Sequence, residues 1–139
     1  MSIDREVLRP SSRLTVLLAE DEAELRDLLA QALRADGMRV MTVADGDGVS
    51  DELLEGEDSP DVLVTNVRMP LRSGIEVLRS LRRRGSNLPV ILITAFGEAI
   101  NRAEVATLGG AAVLEKPFDI DDLKTALKNL EEVFRRVDP

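Results

Sequence analysis

From about residue 14 to residue 137 the chain alternates between two kinds of segment, and this alternation restricts the fold more than any other feature. Short apolar runs of strand length occur at residues 14–19 (LTVLLA), 38–43 (MRVMTV), 61–66 (DVLVTN), 89–94 (PVILIT) and 111–114 (AAVL). They are rich in Val, Ile and Leu, and several are apolar almost throughout, which is the pattern of strands covered on both faces. Between them lie stretches with helical spacing. Residues 22–35 place Leu25, Leu28, Leu29, Ala32 and Leu33 on one stripe before a stop at Gly37. A shorter candidate spans 49–54, and residues 73–84 carry Ile75, Val77, Leu78 and Leu81 ahead of Gly85. The spacing predicts two more helices, over 98–108 and over 119–137, the latter with Leu123, Leu127, Leu130 and Phe134 on one face. Five strand–helix units with short loops force parallel strands, right-handed crossovers and helices on both faces. The predicted class is therefore α/β, a doubly wound five-stranded parallel sheet.

Composition narrows the chemistry. A length of 139 residues suits one domain, read here as residues 13–137 behind an N-terminal arm of residues 1–12. Cysteine and histidine are both absent. Thiolate metal sites, disulfides, and the commonest general base and transition-metal ligand are thereby excluded. What is left is chemistry built on carboxylates, hydroxyls, lysine and hard cations such as Mg²⁺. No apolar run reaches the length of about 20 residues that crosses a bilayer, so no membrane partner is expected. The N-terminus MSIDREVLRPSSR lacks an apolar signal segment, and a cytoplasmic location is expected. A net charge of −8 argues against direct nucleic-acid binding. The run Arg82, Arg83, Arg84 is read as cations at the carbonyl end of a helix rather than as a basic patch.

A doubly wound sheet gathers its ligand site at the carboxyl ends of the strands. There the sequence places Glu20, Asp21 and Glu22 after the first strand, Asn66 at the end of the third, Thr94 at the end of the fourth, and Lys116 after the fifth. Adjacent acids at the end of a buried strand need a neutralising partner, and Mg²⁺ held by carboxylate oxygens is the natural one. The bland alternative, an acidic start to the first helix, explains the acids alone. It does not explain Thr94 and Lys116 arriving at the same edge, where a hydroxyl and an ammonium beside a cation make a cradle for a phosphoryl group.

The motifs LLAEDE, PDVLVTNVRMP, SG, ILITAFG and AAVLEKPFDIDDL, in this order over about residues 14–136, resemble the response-regulator receiver family of two-component phosphorelay signalling in bacteria. The resemblance implies a flavodoxin-like (βα)5 sandwich with strand order 2-1-3-4-5. In this family a histidine kinase passes a phosphoryl group to an aspartate ending the third strand, in an Mg²⁺-dependent reaction catalysed largely by the receiver itself. The resemblance further implies that Asp21 ligates Mg²⁺ directly, Glu20 through water, and Arg68 through its backbone carbonyl. Thr94 would bond the phosphoryl oxygen and act as a switch, Lys116 would pair with the phosphate, and the peptide to Pro117 would be cis. The expected partner is a histidine kinase or another signalling protein. The output face, and a possible homodimer contact, would involve the fourth helix, fifth strand and fifth helix.

Two departures from the family matter. Asn66 stands at the phosphoacceptor position, and an amide oxygen is a poor nucleophile, so no acyl phosphate is expected there. Asn66 also removes one negative charge from the Mg²⁺ site, which predicts weaker metal binding. The neighbouring hydroxyl of Thr65 faces the other side of the sheet and is a poor substitute. Val113 stands where receivers carry the aromatic ring that swings with the threonine. Any readout would fall on Thr94, the loop containing Phe96, and the fourth helix. The loop pair Leu71, Arg72 is bulkier than usual. Two readings stay open: a phosphorelay receiver with a substituted acceptor, and a natural pseudo-receiver that binds proteins without phosphorylation. An independent phosphotransferase or hydrolase is weakest, since no second constellation supplies a mechanism, and the domain is not expected to be an enzyme.

Overall fold

The computed structural model describes residues 13–56, 59–95, 97–109 and 111–137. Five strands, β1 (Thr15–Ala19), β2 (Arg39–Val43), β3 (Val62–Asn66), β4 (Val90–Thr94) and β5 (Ala111–Glu115), alternate with five helices. These are α1 (Ala23–Ala35), α2 (Gly46–Glu55), α3 (Gly74–Arg83), α4 (Arg102–Leu108) and α5 (Ile120–Val137). The strands form one parallel sheet in the order β2-β1-β3-β4-β5. The doubly wound fold class and the strand order agree with the sequence reading.

Every residue of β3 and β4 is buried, because both strands are central and covered on both faces. On one face Val16, Leu18, Val62, Val64, Ile91 and Ile93 meet Leu29 and Leu33 of α1 and Leu123 and Leu127 of α5. On the other, Leu17, Leu63 and Leu92 meet Val49 of α2, Val77, Leu78 and Leu81 of α3, and Val105 of α4. Burying one such side chain contributes about 1.5–3 kcal/mol, so two continuous apolar layers hold the sheet between its helices. Consecutive residues of β3 serve opposite layers. Asn66 thereby stands on the other side of the sheet from Thr65, whose hydroxyl donates to the Asn66 carbonyl at 3.0 Å.

Helix boundaries differ from the sequence reading at two places. α2 begins at Gly46, three residues earlier than 49, because Asp45 caps it by accepting from the Gly48 amide at 2.7 Å. α4 begins at Arg102 instead of 98. The Glu98 carboxylate turns back to accept from the Ala95 amide at 3.1 Å, while Glu98 N donates to the Ala95 carbonyl at 3.0 Å. Gly97 takes a φ of 76° within this turn, and the helix waits for Asn101, whose side chain accepts from Glu104 N at 2.9 Å. Residues 1–12, read as an arm, and Phe96 lie outside the described residues. Among the described residues no helix is long and apolar enough to cross a membrane.

Candidate functional site

The carboxyl edge of the sheet collects Glu20, Asp21, Asn66, Thr94 and Lys116 because β1, β3 and β4 end there and β5 delivers Lys116 one residue later. The Lys116 amide donates to the Thr94 carbonyl at 2.8 Å, which extends the β4–β5 ladder beyond the strand. The Lys116–Pro117 peptide is cis, as expected.

Glu20 is 2% exposed. One carboxylate oxygen, Oε2, accepts from the Glu22 amide at 3.0 Å, and the Glu20 carbonyl accepts from Arg26 Nη1 at 2.9 Å. The other oxygen, Oε1, is buried without a hydrogen bond and lies 3.8 Å from Lys116 Nζ. Asn66, also buried, donates through Nδ2 to Asp21 Oδ1 at 3.2 Å, while its own Oδ1 has no partner. Two buried oxygens at one pocket thus lack donors. A buried unpaired acceptor costs about 1–3 kcal/mol, so such a pair marks a place built to meet a ligand. Asp21 is exposed and Thr94 is buried.

Two expected participants sit differently. The Arg68 side chain points outward, 91% exposed, with Nε 3.5 Å from Glu98 Oε2, so only its backbone is available to the pocket. Val113 packs half-buried against the layer formed by α2, α3 and α4 and brings no ring to the edge. Among the described residues no three Asp, Glu, His or Cys side chains cluster as metal ligands; with Asn66 in the third position, the pocket keeps only two carboxylates.

The approach of α3 to the site explains the SG motif. Ser73 and Glu76 form a reciprocal capping box, at 3.2 and 3.3 Å. Gly74 follows because a Cβ there would fall 2.4 Å from the Asn66 carbonyl oxygen.

Sequence reasoning missed one group near the site and one at the far end of α3. Glu98 ties its own loop and reaches Arg68; nothing in the local pattern sets it apart from a helical glutamate. Arg82 donates to the carbonyls of Leu108 at 2.7 Å, Ser86 at 2.9 Å and Gly109 at 2.9 Å. It caps the carboxyl end of α4 as well as lying in the last turn of its own helix. Burial lowers the Arg82 pKa from its ordinary value. Three residues earlier Arg79 holds Glu104 through two bonds, at 2.9 and 2.7 Å. That hydrogen bond and charge lower the Glu104 pKa and raise that of Arg79.

Known proteins match this arrangement. The family described as response regulator receiver domain matches residues 16–128. Response regulator protein PmrA of Pseudomonas aeruginosa is 37% identical over 117 residues, covering 84% of this chain and 52% of PmrA. The probable transcriptional regulatory protein TcrX of Mycobacterium tuberculosis is 37% identical over 117 residues, covering 84% of this chain and 49% of TcrX. The chain thus spans about half the length of these curated relatives. Among solved structures, the Francisella response regulator 1452 receiver domain superposes with a TM-score of 0.79 at 27% identity, covering 88% of this chain and 99% of that one. The receiver domain of the hybrid histidine kinase CckA gives 0.68 at 30% identity, covering 84% and 97%.

Proposed function

The chain belongs to the response regulator receiver domain family of two-component signalling, and from that premise we propose that it is a receiver whose acceptor position cannot form an acyl phosphate. The observation that carries the reading is the state of Asn66. It occupies the strand-end position that the phosphoacceptor takes in the family, and it donates a hydrogen bond to Asp21 where a carboxylate would repel it. An amide offers phosphorus neither a charged oxygen nor a basic nitrogen. Communication with a histidine kinase or another signalling protein then proceeds by contact without covalent transfer.

The donor set fits a hard cation. Glu20 Oε1 and Asn66 Oδ1 are buried oxygens without donors, and Asp21 lies beside them. Glu20, Asp21, the Asn66 amide oxygen and the Arg68 carbonyl would hold Mg²⁺, which when bound neutralises charge on a phosphoryl group. Lys116 supplies a second positive charge at the edge, and Thr94 a buried hydroxyl. Because the third ligand is neutral, binding is weaker than in a site with three carboxylates. The Asn66 amide also satisfies one Asp21 oxygen, which lowers the need for a cation.

Incubation with Mg²⁺ and acetyl phosphate, followed by intact-mass measurement, tests the reading. The parent chain gains no phosphate, and Asn66→Asp gains one. Phosphate on the parent chain would overturn the proposal.

A further inference from the structure

Charge is distributed very unevenly along this chain. Residues 68–84 contain six arginines and a single acid, Glu76, a local charge of +5 in a chain of net charge −8, so the remaining residues carry −13. Four of the six arginines, Arg72, Arg79, Arg82 and Arg83, line shallow grooves along α3. One groove, of about 310 Å³, is bounded by Arg72, Glu76, Arg79, Ser80 and Arg83. Its one acid serves the capping box with Ser73, and Arg79 is neutralised by Glu104. Arg72 has only a hydroxyl partner, Ser50 Oγ at 3.3 Å, and the Arg83 guanidinium has none among the described residues. Among the described residues, two positive charges on the groove walls therefore have no carboxylate paired with them.

Next to Arg83, Arg84 lines an apolar pocket of about 440 Å³ that Leu53, Leu54, Leu81 and Leu88 help to form. Leu54 is 65% exposed there, and Leu71, the neighbour of Arg72 at the start of the row, is 73% exposed. The arginine row is thus flanked by exposed leucines at both ends.

We propose that this side of α3, from Leu71 to Arg84 with the adjoining leucine pocket, is a docking surface for an acidic amphipathic segment of a partner protein. Arginine forks match carboxylates bidentately, and the leucine pocket takes an apolar side chain from the same segment. A nucleic acid fits less well. A ten-residue helix is about 15 Å long, whereas duplex DNA carries a charge roughly every 1.7 Å without end. The duplex also has no apolar side chain for the leucine pocket. The surface lies outside the Asn66 pocket, although its helix starts against the Asn66 backbone at Gly74.

The test uses the whole chain and a fluorescently labelled synthetic peptide with Glu and Leu at helical spacing, read by anisotropy. Saturable binding that weakens with salt is expected. Arg83→Glu, which removes a guanidinium with no hydrogen-bond partner among the described residues and costs the end of α3 only a favourable dipole contact, should weaken binding about tenfold, and Arg72→Glu combined with it further. Arg102→Glu, a matched charge reversal on α4, should leave binding unchanged, and a peptide of Glu alone should bind less tightly. Absence of saturable binding, equal affinity in Arg83→Glu with an unchanged circular dichroism spectrum, or tighter binding of a short DNA duplex than of the peptide would each overturn the proposal.

Discussion

The pocket at the carboxyl edge and the seam between α3 and α4 lie on the same small domain and treat their polar groups in opposite ways. In the pocket, Glu20 Oε1 and Asn66 Oδ1 are buried without donors. Along the seam, Arg82 satisfies three carbonyls and Arg79 satisfies both oxygens of Glu104. The seam is closed by its own hydrogen bonds, while two oxygens of the pocket accept none, although Lys116 Nζ faces one of them at 3.8 Å. Buried acceptors without hydrogen bonds are expensive in a fold of marginal stability, and two of them together beside Asp21 support a ligand site at this edge better than the acids alone.

The largest expected effect breaks the contact between Asn66 and Asp21 in the pocket. Asn66→Asp removes the donor from Asp21 and adds a third carboxylate beside it and Glu20. In chelator, thermal melting should show a loss of about 2 kcal/mol, since an acceptor loses its partner and gains a like charge. Millimolar Mg²⁺ should reverse that loss in the variant and shift the parent chain much less. Equal Mg²⁺ shifts in the two proteins would mean that Asn66 leaves the metal site intact.

At the seam the corresponding change is Arg82→Ala, which strips three carbonyls of a charged donor. Because the group is partly exposed and water replaces some of the bonds, we expect about 1.5 kcal/mol of destabilisation by denaturant titration. Faster amide exchange should be confined to α4 and the turn after it. Uniform exchange across the sheet would mean that Arg82 supports the core rather than the seam.

How far each region was legible follows from the range of its interactions. Strands and helices announced themselves through local periodicity, and Glu20, Asp21, Asn66, Thr94 and Lys116 through their positions at strand ends. The start of α4 did not, because Glu98 bonds backward to Ala95 instead of forward into a helix. Arg82 was read as part of a helix-ending run, since nothing in that run reveals that its guanidinium reaches carbonyls 26 and 27 residues later. The orphaned oxygens were equally invisible, being defined by what surrounds them and not by residue type.

Leu71 stands between the two regions, in the loop after Asn66. Its φ is 72°, inside a tight turn in which the Arg72 amide donates to the Pro70 carbonyl at 2.8 Å. A left-handed conformation costs a residue with a Cβ about 1–2 kcal/mol, and the glycine alternative gives back about 0.5–1 kcal/mol through its freer unfolded chain. As the side chain is exposed, Leu71→Gly should stabilise the fold by about 0.5–1 kcal/mol. If Leu71 also anchors a partner, the same variant should bind the acidic peptide less tightly while melting later. That opposition would show strain kept for binding.

The smallest effect concerns the ion pair at the outer end of the seam. Arg79 and Glu104 are exposed enough for solvent to screen them, so Arg79→Ala should change stability only slightly, and less in high salt. The pH dependence has a definite sign. The hydrogen bond from Arg79 holds the Glu104 carboxyl below its usual range. A depressed carboxylate contributes stability that is fully present above its unfolded pKa and is lost as pH falls through the folded value. Arg79→Ala should therefore narrow the difference between neutral and acidic melting temperatures and leave the response to Mg²⁺ unchanged, whereas Asn66→Asp should widen the response to Mg²⁺, its own acid dependence coming from repulsion that protonation or the cation relieves. Melting both variants across the acid range, with and without Mg²⁺, separates seam from pocket. A shared response would show the two regions coupled through α3, whose first residue, Gly74, lies against the Asn66 backbone and whose Arg79 and Arg82 hold α4.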